Sequence, residues 1–215
     1  MKQLLRKELS LALHPTSLIF LLLSAMVLIP NYPYYVIFFY TGLGLFFTCL
    51  SGRENGDVLF SLLLPVSRRQ VVAARILTVM LLEVCQLLFA AGFTALRYVL
   101  GMPENAAGME AGLSLFGLSL AMLGLFHVVF FSVYYKNVQH VGRAFLWGSG
   151  TVFLFIALME TFAHTVPFFR DVLDTPDPAH LPEKLAMLAI GVLLWLLLSF
   201  VSYRRSVRLF LKQNL

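Results

Sequence analysis

The sequence predicts an all-α membrane protein with one domain that crosses the bilayer six times. Apolar residues make up 60% of the 215 residues, charged residues make up only 13%, and the mean hydropathy is +0.84. Soluble domains are typically about 45–50% apolar and about 25% charged. The apolar residues form long continuous runs, which favour membrane helices over a membrane β-barrel, in whose strands apolar and polar residues alternate.

Six apolar segments are separated by breaks rich in Pro, Gly or charged residues. The first segment lies between Pro15 and Pro30, and the second begins directly after the turn PNYP. A cleaved signal peptide is not expected, because no Ala-x-Ala pattern follows the first segment. The predicted spans are residues 14–30, 33–50, 71–96, 113–134, 145–166 and 185–202.

Residues 1–13 are predicted to form an amphipathic helix that precedes the first span. Leu5, Leu9 and Leu13 recur at helical spacing and form an apolar stripe, whereas Lys7 lies roughly opposite. A helix of this kind lies in the membrane interface and does not cross the bilayer.

The distribution of basic residues predicts the orientation of the chain. Six spans place both termini on one side, and 13 of the 16 Lys and Arg residues fall on that side. The positive-inside rule therefore predicts cytoplasmic termini, with residues 203–215 as a cytoplasmic tail, in the plasma membrane. The net charge of +5 is explained by this orientation, so we expect membrane lipid and no nucleic acid as a partner.

The loop at residues 51–70 holds a short apolar helix, predicted at 58–64 and ended by Pro65. Asn55 or Asp57 is expected to cap its start. About seven residues cannot cross a bilayer, which needs about 20. Its apolar side chains therefore need another cover, either the membrane surface or a second protein.

The third span has a defined start. Ser67 followed by Gln70 fits the capping box S-x-x-Q, in which each residue bonds the other's backbone N–H. This pattern predicts that the helix begins at Arg68.

The loop resembles that of the membrane subunit of a type-2 ABC exporter. In that family a Glu and a Gly lead into a short helix, followed by L-P-V-S-R and a basic start to the third span; here RENGDVLFSLLLPVSRRQVVAAR occupies residues 53–75. Asp57 stands where the family often has Thr, a departure that bears on the helix cap. The N-terminal helix, similar to the family's elbow helix, and the six spans also fit. The most similar subgroup is that of small bacterial permeases that export amphipathic peptides and peptide antibiotics.

The resemblance implies that the loop is a coupling helix docked on a separate ABC ATPase. It also implies two ATPase copies carrying ATP and Mg, a homodimer or a heterodimer with a related permease, and transport by alternating access. This chain is expected to bind no cofactor, because none of its five lysines follows the phosphate-binding pattern G-x-x-x-x-G-K-[ST]. The residues implied to form the ATPase contact are Arg53, Glu54, Asn55, Asp57, Val58, Leu59, Phe60, Leu63, Pro65, Arg68 and Arg69.

Several polar side chains fall within the predicted spans. Glu83 lies about seven residues past Arg75, the last cytoplasmic charge before the third span, and His127 lies about seven residues inside the cytoplasmic end of the fourth. Both are thus at a depth of roughly 10 Å, so we expect a hydrogen bond between them. Gln86 lies one turn further along the same span as Glu83. Because charged groups at the bilayer centre cost ~2.5–3.5 kcal/mol on insertion scales, such residues face protein or water. A structural contact, a substrate path and catalysis are all open roles for this pair.

Glu160 and His164 are four residues apart and share a helix face near the outer end of the fifth span. They can form a simple interfacial pair, an outer polar gate, or two ligands of an intramembrane metallohydrolase. The motif H-E-x-x-H and a third ligand at matching depth are both missing, so neither a metal site nor an enzyme is predicted. A non-transporting membrane scaffold that uses the loop to bind a regulator is a further alternative.

Overall fold

The computed structural model describes residues 1–213, and within them all regular structure is helical. The predicted all-α class is confirmed. Short π-helical and 3₁₀-helical segments extend or link the α-helices. The α-helices are α1 Lys2–Lys7, α2 Pro15–Leu22, α3 Tyr35–Glu54, α4 Asp57–Leu63, α5 Arg68–Val99, α6 Leu113–Tyr134, α7 Val141–Thr165 and α8 Leu181–Leu211.

Five helices are long and apolar enough to cross a membrane, namely α3, α5, α6, α7 and α8. A sixth crossing is counted only if the bent pair Lys2–Ala12 and Pro15–Leu28 is taken as one span, with an angle of 84° between its halves. The bend has a local cause: a residue before proline avoids the helical region, and His14 is extended with ψ 136°. The predicted first span is thus a short helix, α2, continued by a 3₁₀ segment over Leu23–Leu28.

The N-terminal segment packs on the rest of the protein through a face that contains both apolar and charged side chains. Helix α1 continues as a π-helical turn over Glu8–Ala12, and the buried side chains include Leu4, Lys7 and Glu8. Leu9 of the predicted apolar stripe is exposed. Lys7, which we expected on the polar face, is instead buried between α4 and α5.

Helix α2 runs antiparallel to α3 at close range. The backbone N–H of His14 donates to Thr48 Oγ1 at 3.1 Å, and Ser17 Oγ donates to the carbonyl of Gly44 at 3.1 Å. A methyl group added at Gly44 would lie 2.9 Å from Ser17 Oγ, so this approach needs glycine. Further along, the carbonyl of Val27 accepts a hydrogen bond from Arg97 near the end of α5. The segment Pro15–Leu28 therefore packs along α3 and α5.

Helix α6 lies at the centre of the bundle. It contains no charged residue, and most of its 22 side chains are buried. Its tightest contact is with α8, where Gly117 faces Gly191; a methyl group at Gly117 would lie 2.8 Å from the Cα of Leu188. Small residues allow membrane helices to approach this closely.

Helices α5 and α8 extend beyond the predicted spans. They contain 32 and 31 residues, a length of about 45–48 Å, whereas the hydrocarbon core is about 30 Å thick. Helix α5 begins at Arg68, and the predicted capping box of Ser67 and Gln70 is confirmed. The outward sides of the long helices carry exposed leucines such as Leu88 and Leu193, as expected for a surface that contacts lipid.

Candidate functional site: the α4 surface and the buried polar networks

Helix α4 presents three apolar side chains at one end of the bundle. Gly56, with φ +65°, makes the sharp turn that separates α4 from α3. Leu59, Phe60 and Leu63 lie on one side of α4 and are 52%, 51% and 85% exposed. On the other side, Ser61 is buried and Leu62 packs against the core. The helix is thus anchored by one side and open on the other; we call Leu59, Phe60 and Leu63 the α4 surface.

A buried ion-pair network lies directly behind the α4 surface. The carboxylate of Asp57 lies 2.5 Å from a terminal nitrogen of Arg75 and also pairs with the ammonium of Lys7. Glu8 lies 2.5 Å from Arg75 Nε and 3.1 Å from Lys7 Nζ. The Lys7 ammonium also donates to Ser61 Oγ at 2.9 Å. We call Lys7, Glu8, Asp57 and Arg75 the four-charge network.

The four-charge network joins three segments of the chain. Its members come from the N-terminal segment, from the first turn of α4 and from α5, and each side chain is at most 11% exposed. Two cations face two anions, so the buried charges balance, which is the condition under which such burial is tolerated. The predicted cap on α4 is wrong: Gly56 is the N-cap residue and no side chain bonds the helix start, because Asp57 is engaged by the two cations.

The arginines around α4 have different surroundings. Arg53 is partly exposed and lies 3.4 Å from Glu54, whereas Arg69 is exposed. Arg68 donates to the carbonyls of Phe210 and Gln213 at 2.9 and 2.8 Å. Arg68, which the resemblance implies to be part of the ATPase contact, therefore binds the end of α8 within this chain. Asn55 and Pro65 are exposed, and Val58 is half-buried against the core.

The predicted contact between Glu83 and His127 is present. His127 Nε2 lies 2.7 Å from Glu83 Oε1, and both side chains are fully buried between α5 and α6. Two partners from α8 complete the group: the Trp195 indole donates to Glu83 Oε2 at 2.7 Å, and Ser199 Oγ lies 2.8 Å from His127 Nδ1. Neither partner was predicted from the sequence. The signal for Trp195 is its indole N–H within an apolar run, since a buried Trp usually needs an acceptor.

Replacing Glu83 by alanine should loosen the packing of α5 against α6 and α8 without preventing membrane insertion. The indole of Trp195 and one nitrogen of His127 would lose their acceptor, and hydrogen bonds within membranes are worth about 0.6–2 kcal/mol. In a Trp147→Phe background, the fluorescence of Trp195 and the thermal unfolding of the purified protein report the change. Unchanged emission and stability in the Glu83→Ala protein would contradict this role.

Gln86 connects α5 with the 3₁₀ segment after α2 and with α3. Its amide nitrogen donates to Ser24 Oγ at 2.8 Å and to the carbonyl of Ile37 at 3.3 Å. All three groups are buried. The position of Gln86 therefore explains how the 3₁₀ segment after α2 is fixed between α3 and α5.

At the opposite end of the bundle, Glu160 binds the backbone of the loop between α5 and α6. The N–H of Met109 donates to Glu160 Oε2 at 3.2 Å, and His164 is exposed. Residues 1–213 contain no group of three His, Cys, Asp or Glu side chains that is placed to hold a metal ion. The arrangement thus favours a structural contact for Glu160.

Two further polar contacts in this region, made by Arg97 and Asp174, were not predicted from the sequence. Arg97, at the end of α5, donates to Tyr34 Oη at 2.7 Å and pairs with Glu110 at 3.3 Å. The carboxylate of Asp174 accepts from the N–H of Glu110 at 2.6 Å. Burial raises the pKa of Asp174 from its ordinary value, while the N–H of Glu110 opposes the shift. The loop between α5 and α6 is therefore held by charged groups from three elements.

The long apolar helices and the buried polar groups between them define a multi-pass membrane protein. Over residues 3–211 the chain matches the sequence profile of the family described as ABC-2 family transporter protein, and it belongs to that family. It is therefore the membrane subunit of a transporter and is not itself an enzyme, and the metallohydrolase alternative is set aside. Permeases of this family generally pair with an ABC ATPase. No curated protein and no solved structure matches the chain.

Proposed function

We propose that this chain is the permease subunit of an ATP-driven exporter and that the α4 surface docks on its ATPase subunit. The single observation that carries the proposal is the exposure of Leu59, Phe60 and Leu63 on a helix whose other side is fixed. Burial of such side chains stabilises a complex by about 1.5–3 kcal/mol each, before the costs of association. The seven residues of α4 form a helix of about 10 Å, too short to cross lipid.

The four-charge network gives this docking surface a mechanical connection to the bundle. Because Asp57 at the start of α4 binds Lys7 and Arg75, a displacement of α4 moves the N-terminal segment and α5 with it. Closure of two ATPase copies on ATP and Mg would pull on α4 in each permease, which can be a second copy or a related chain. Tilting of the bundles would then expose the substrate path alternately to the two sides.

The orientation and substrate class rest on the sequence. The excess of basic residues on the side of α4 supports a cytoplasmic position for α4 and for both termini, in the plasma membrane. With the bent pair Lys2–Ala12 and Pro15–Leu28 counted as one crossing, the chain has the six spans that this orientation requires. The similarity of residues 53–75 to the loop of small peptide-exporting permeases supports amphipathic peptides or peptide antibiotics as cargo.

Replacing Phe60 by aspartate should remove the ATPase from the complex while the permease still inserts. A charge at the centre of the apolar contact is desolvated without a partner, and residues at such centres dominate affinity. Tagged permease is expressed in its native host, and the co-purifying protein with a phosphate-binding lysine motif is identified and assayed for ATP hydrolysis. We expect at least a tenfold loss of this protein from the Phe60→Asp sample.

Two matched variants control this experiment. Phe60→Leu keeps an apolar contact and should retain most of the ATPase, and Glu104→Gln changes an exposed charge in the loop at the opposite end of the bundle and should have little effect. Equal ATPase recovery from the wild type and Phe60→Asp would exclude the α4 surface as the contact. If the wild-type protein retains no such ATPase, the proposed ATPase contact is contradicted.

A further inference from the structure

A groove between α5 and α8 opens on the outer surface of the bundle and ends in a basic pocket. The groove has a volume of about 240 Å³ and is almost entirely apolar; its lining includes Ile76, Leu77 and Met80 of α5 and Leu196 of α8. The pocket at its end has a volume of about 440 Å³ and is lined by Arg69, Arg204 and Arg208. Phe200 and Tyr203 line both spaces, so the pocket adjoins the groove.

The three arginines of this pocket carry uncompensated charge. Within residues 1–213 none of their guanidinium groups forms an ion pair, and no acidic side chain lines the groove or the pocket. The Arg204 guanidinium lies 5.0 Å from the centre of the Phe200 ring, which holds it at the junction of the two spaces. A site with three arginines beside an apolar groove selects a ligand with an anionic head and a hydrocarbon tail.

The dimensions of the site match one leaflet of a bilayer. Met80 and Arg69 are eleven residues apart on α5, which corresponds to about 16 Å along the helix. Half of the hydrocarbon core is about 15 Å thick. Leu196, at the apolar end of the groove, is next to Trp195 in α8, whereas the three arginines lie just outside the predicted spans 71–96 and 185–202. A phosphate at the arginines would thus place an acyl chain along Leu77 and Met80.

We propose that this groove and pocket form a binding site for an anionic phospholipid. The arginine forks bind the phosphate oxygens, as basic pockets between membrane helices do at the cytoplasmic leaflet, and the groove holds one acyl chain. The net positive charge favours a lipid with a net negative headgroup, such as phosphatidylglycerol, over zwitterionic phosphatidylcholine. The site is separate from the α4 surface. It includes Arg69, which the resemblance also implies for the ATPase contact, so lipid binding is measured on the permease without the ATPase.

Native mass spectrometry tests this site. The protein is first delipidated and then incubated with phosphatidylglycerol or phosphatidylcholine. We expect the wild type to retain phosphatidylglycerol in preference to phosphatidylcholine. The triple variant Arg69→Gln, Arg204→Gln, Arg208→Gln should bind phosphatidylglycerol on the order of 100-fold more weakly. Leu77→Trp, which fills the groove without changing charge, should also reduce retention, by about tenfold.

A matched variant removes the same charge elsewhere. Arg6, Arg143 and Arg205 are exposed basic residues on the same predicted face and outside the pocket; their joint replacement by Gln should leave lipid retention unchanged. An equal loss in this control would show a general charge effect and overturn the proposal. Equal retention of phosphatidylcholine, or full competition by inorganic phosphate, would also overturn it. In a Leu77→Cys variant, a disulfide can form between two copies of the chain. If the cross-linked protein no longer binds lipid, the groove is instead a contact with a second copy.

Discussion

Replacing Asp57 by alanine should destabilise the protein more than any other single change around α4. The variant leaves the cations of Lys7 and Arg75 buried with Glu8 as the only remaining anion. Removing one partner from a buried ion pair typically costs 3–5 kcal/mol. We expect a lower unfolding temperature of the purified protein and faster proteolysis within residues 52–66, because α4 loses its anchor to the N-terminal segment and to α5.

Glu54→Ala provides the control for Asp57→Ala. Both positions are acidic and lie in the same loop, but the Glu54 side chain is 62% exposed and pairs only with Arg53. Exposed pairs are worth about 0–1 kcal/mol, so this variant should unfold close to the wild-type temperature. Equal stability of the two variants would show that the four-charge network does not hold α4 in place. Lower stability with normal ATPase binding would separate the network from the docking surface.

The second large effect is expected at Gly191, where alanine should force α6 and α8 apart. Its added methyl group would overlap the carbonyl of Gly117, which is backbone and cannot rotate away. Overpacking costs about 1–3 kcal/mol, and more where backbone must move. Trp195 lies one turn further along α8, so the separation should also lengthen its bond to Glu83. Thermal unfolding and the fluorescence of Trp195 measure the two consequences.

Gly150→Ala is the matched control for Gly191→Ala. Gly150 is also helical, but it is exposed on α7 and an added methyl group would meet no other atom within 4 Å. Alanine is the better helix former by about 1 kcal/mol, so this variant should be neutral or slightly stabilised. Similar unfolding temperatures for the two variants would contradict the close packing of α6 on α8.

Some side-chain contacts inside the bundle could be predicted from the depth at which each residue lies along its helix. Glu83 and His127 were paired from the sequence because their estimated depths agree when Glu83 is counted from Arg75 and His127 from the cytoplasmic end of its span. Their partners Trp195 and Ser199 were not, since sequence does not state which face of α8 turns towards α6. The same reason explains why the contacts of Arg97, which is buried beside Tyr34 and Glu110, were not predicted.

The role of Asp57 could not be predicted from its neighbours in the sequence. A carboxylate before a short helix is a good cap by itself, and the sequence favoured that role for Asn55 or Asp57. In the structure Lys7 and Arg75 approach from segments 50 and 18 residues away along the chain and bind Asp57 instead. The approach of distant charges decides between a cap and an ion pair, and it depends on how the N-terminal segment folds back.

The helical class, the membrane setting, the start of α5 at Arg68 and the short apolar helix after α3 could all be predicted from the sequence. These follow from composition, run length and capping residues, which act within a few turns of the chain. The burial of Lys7, the bond of Arg68 to the end of α8 and the exposure of Leu59, Phe60 and Leu63 on one side of α4 became apparent only in the folded chain. Those outcomes depend on which helix faces meet, and helix packing in lipid is set by small residues and buried polar contacts that a hydropathy pattern does not order.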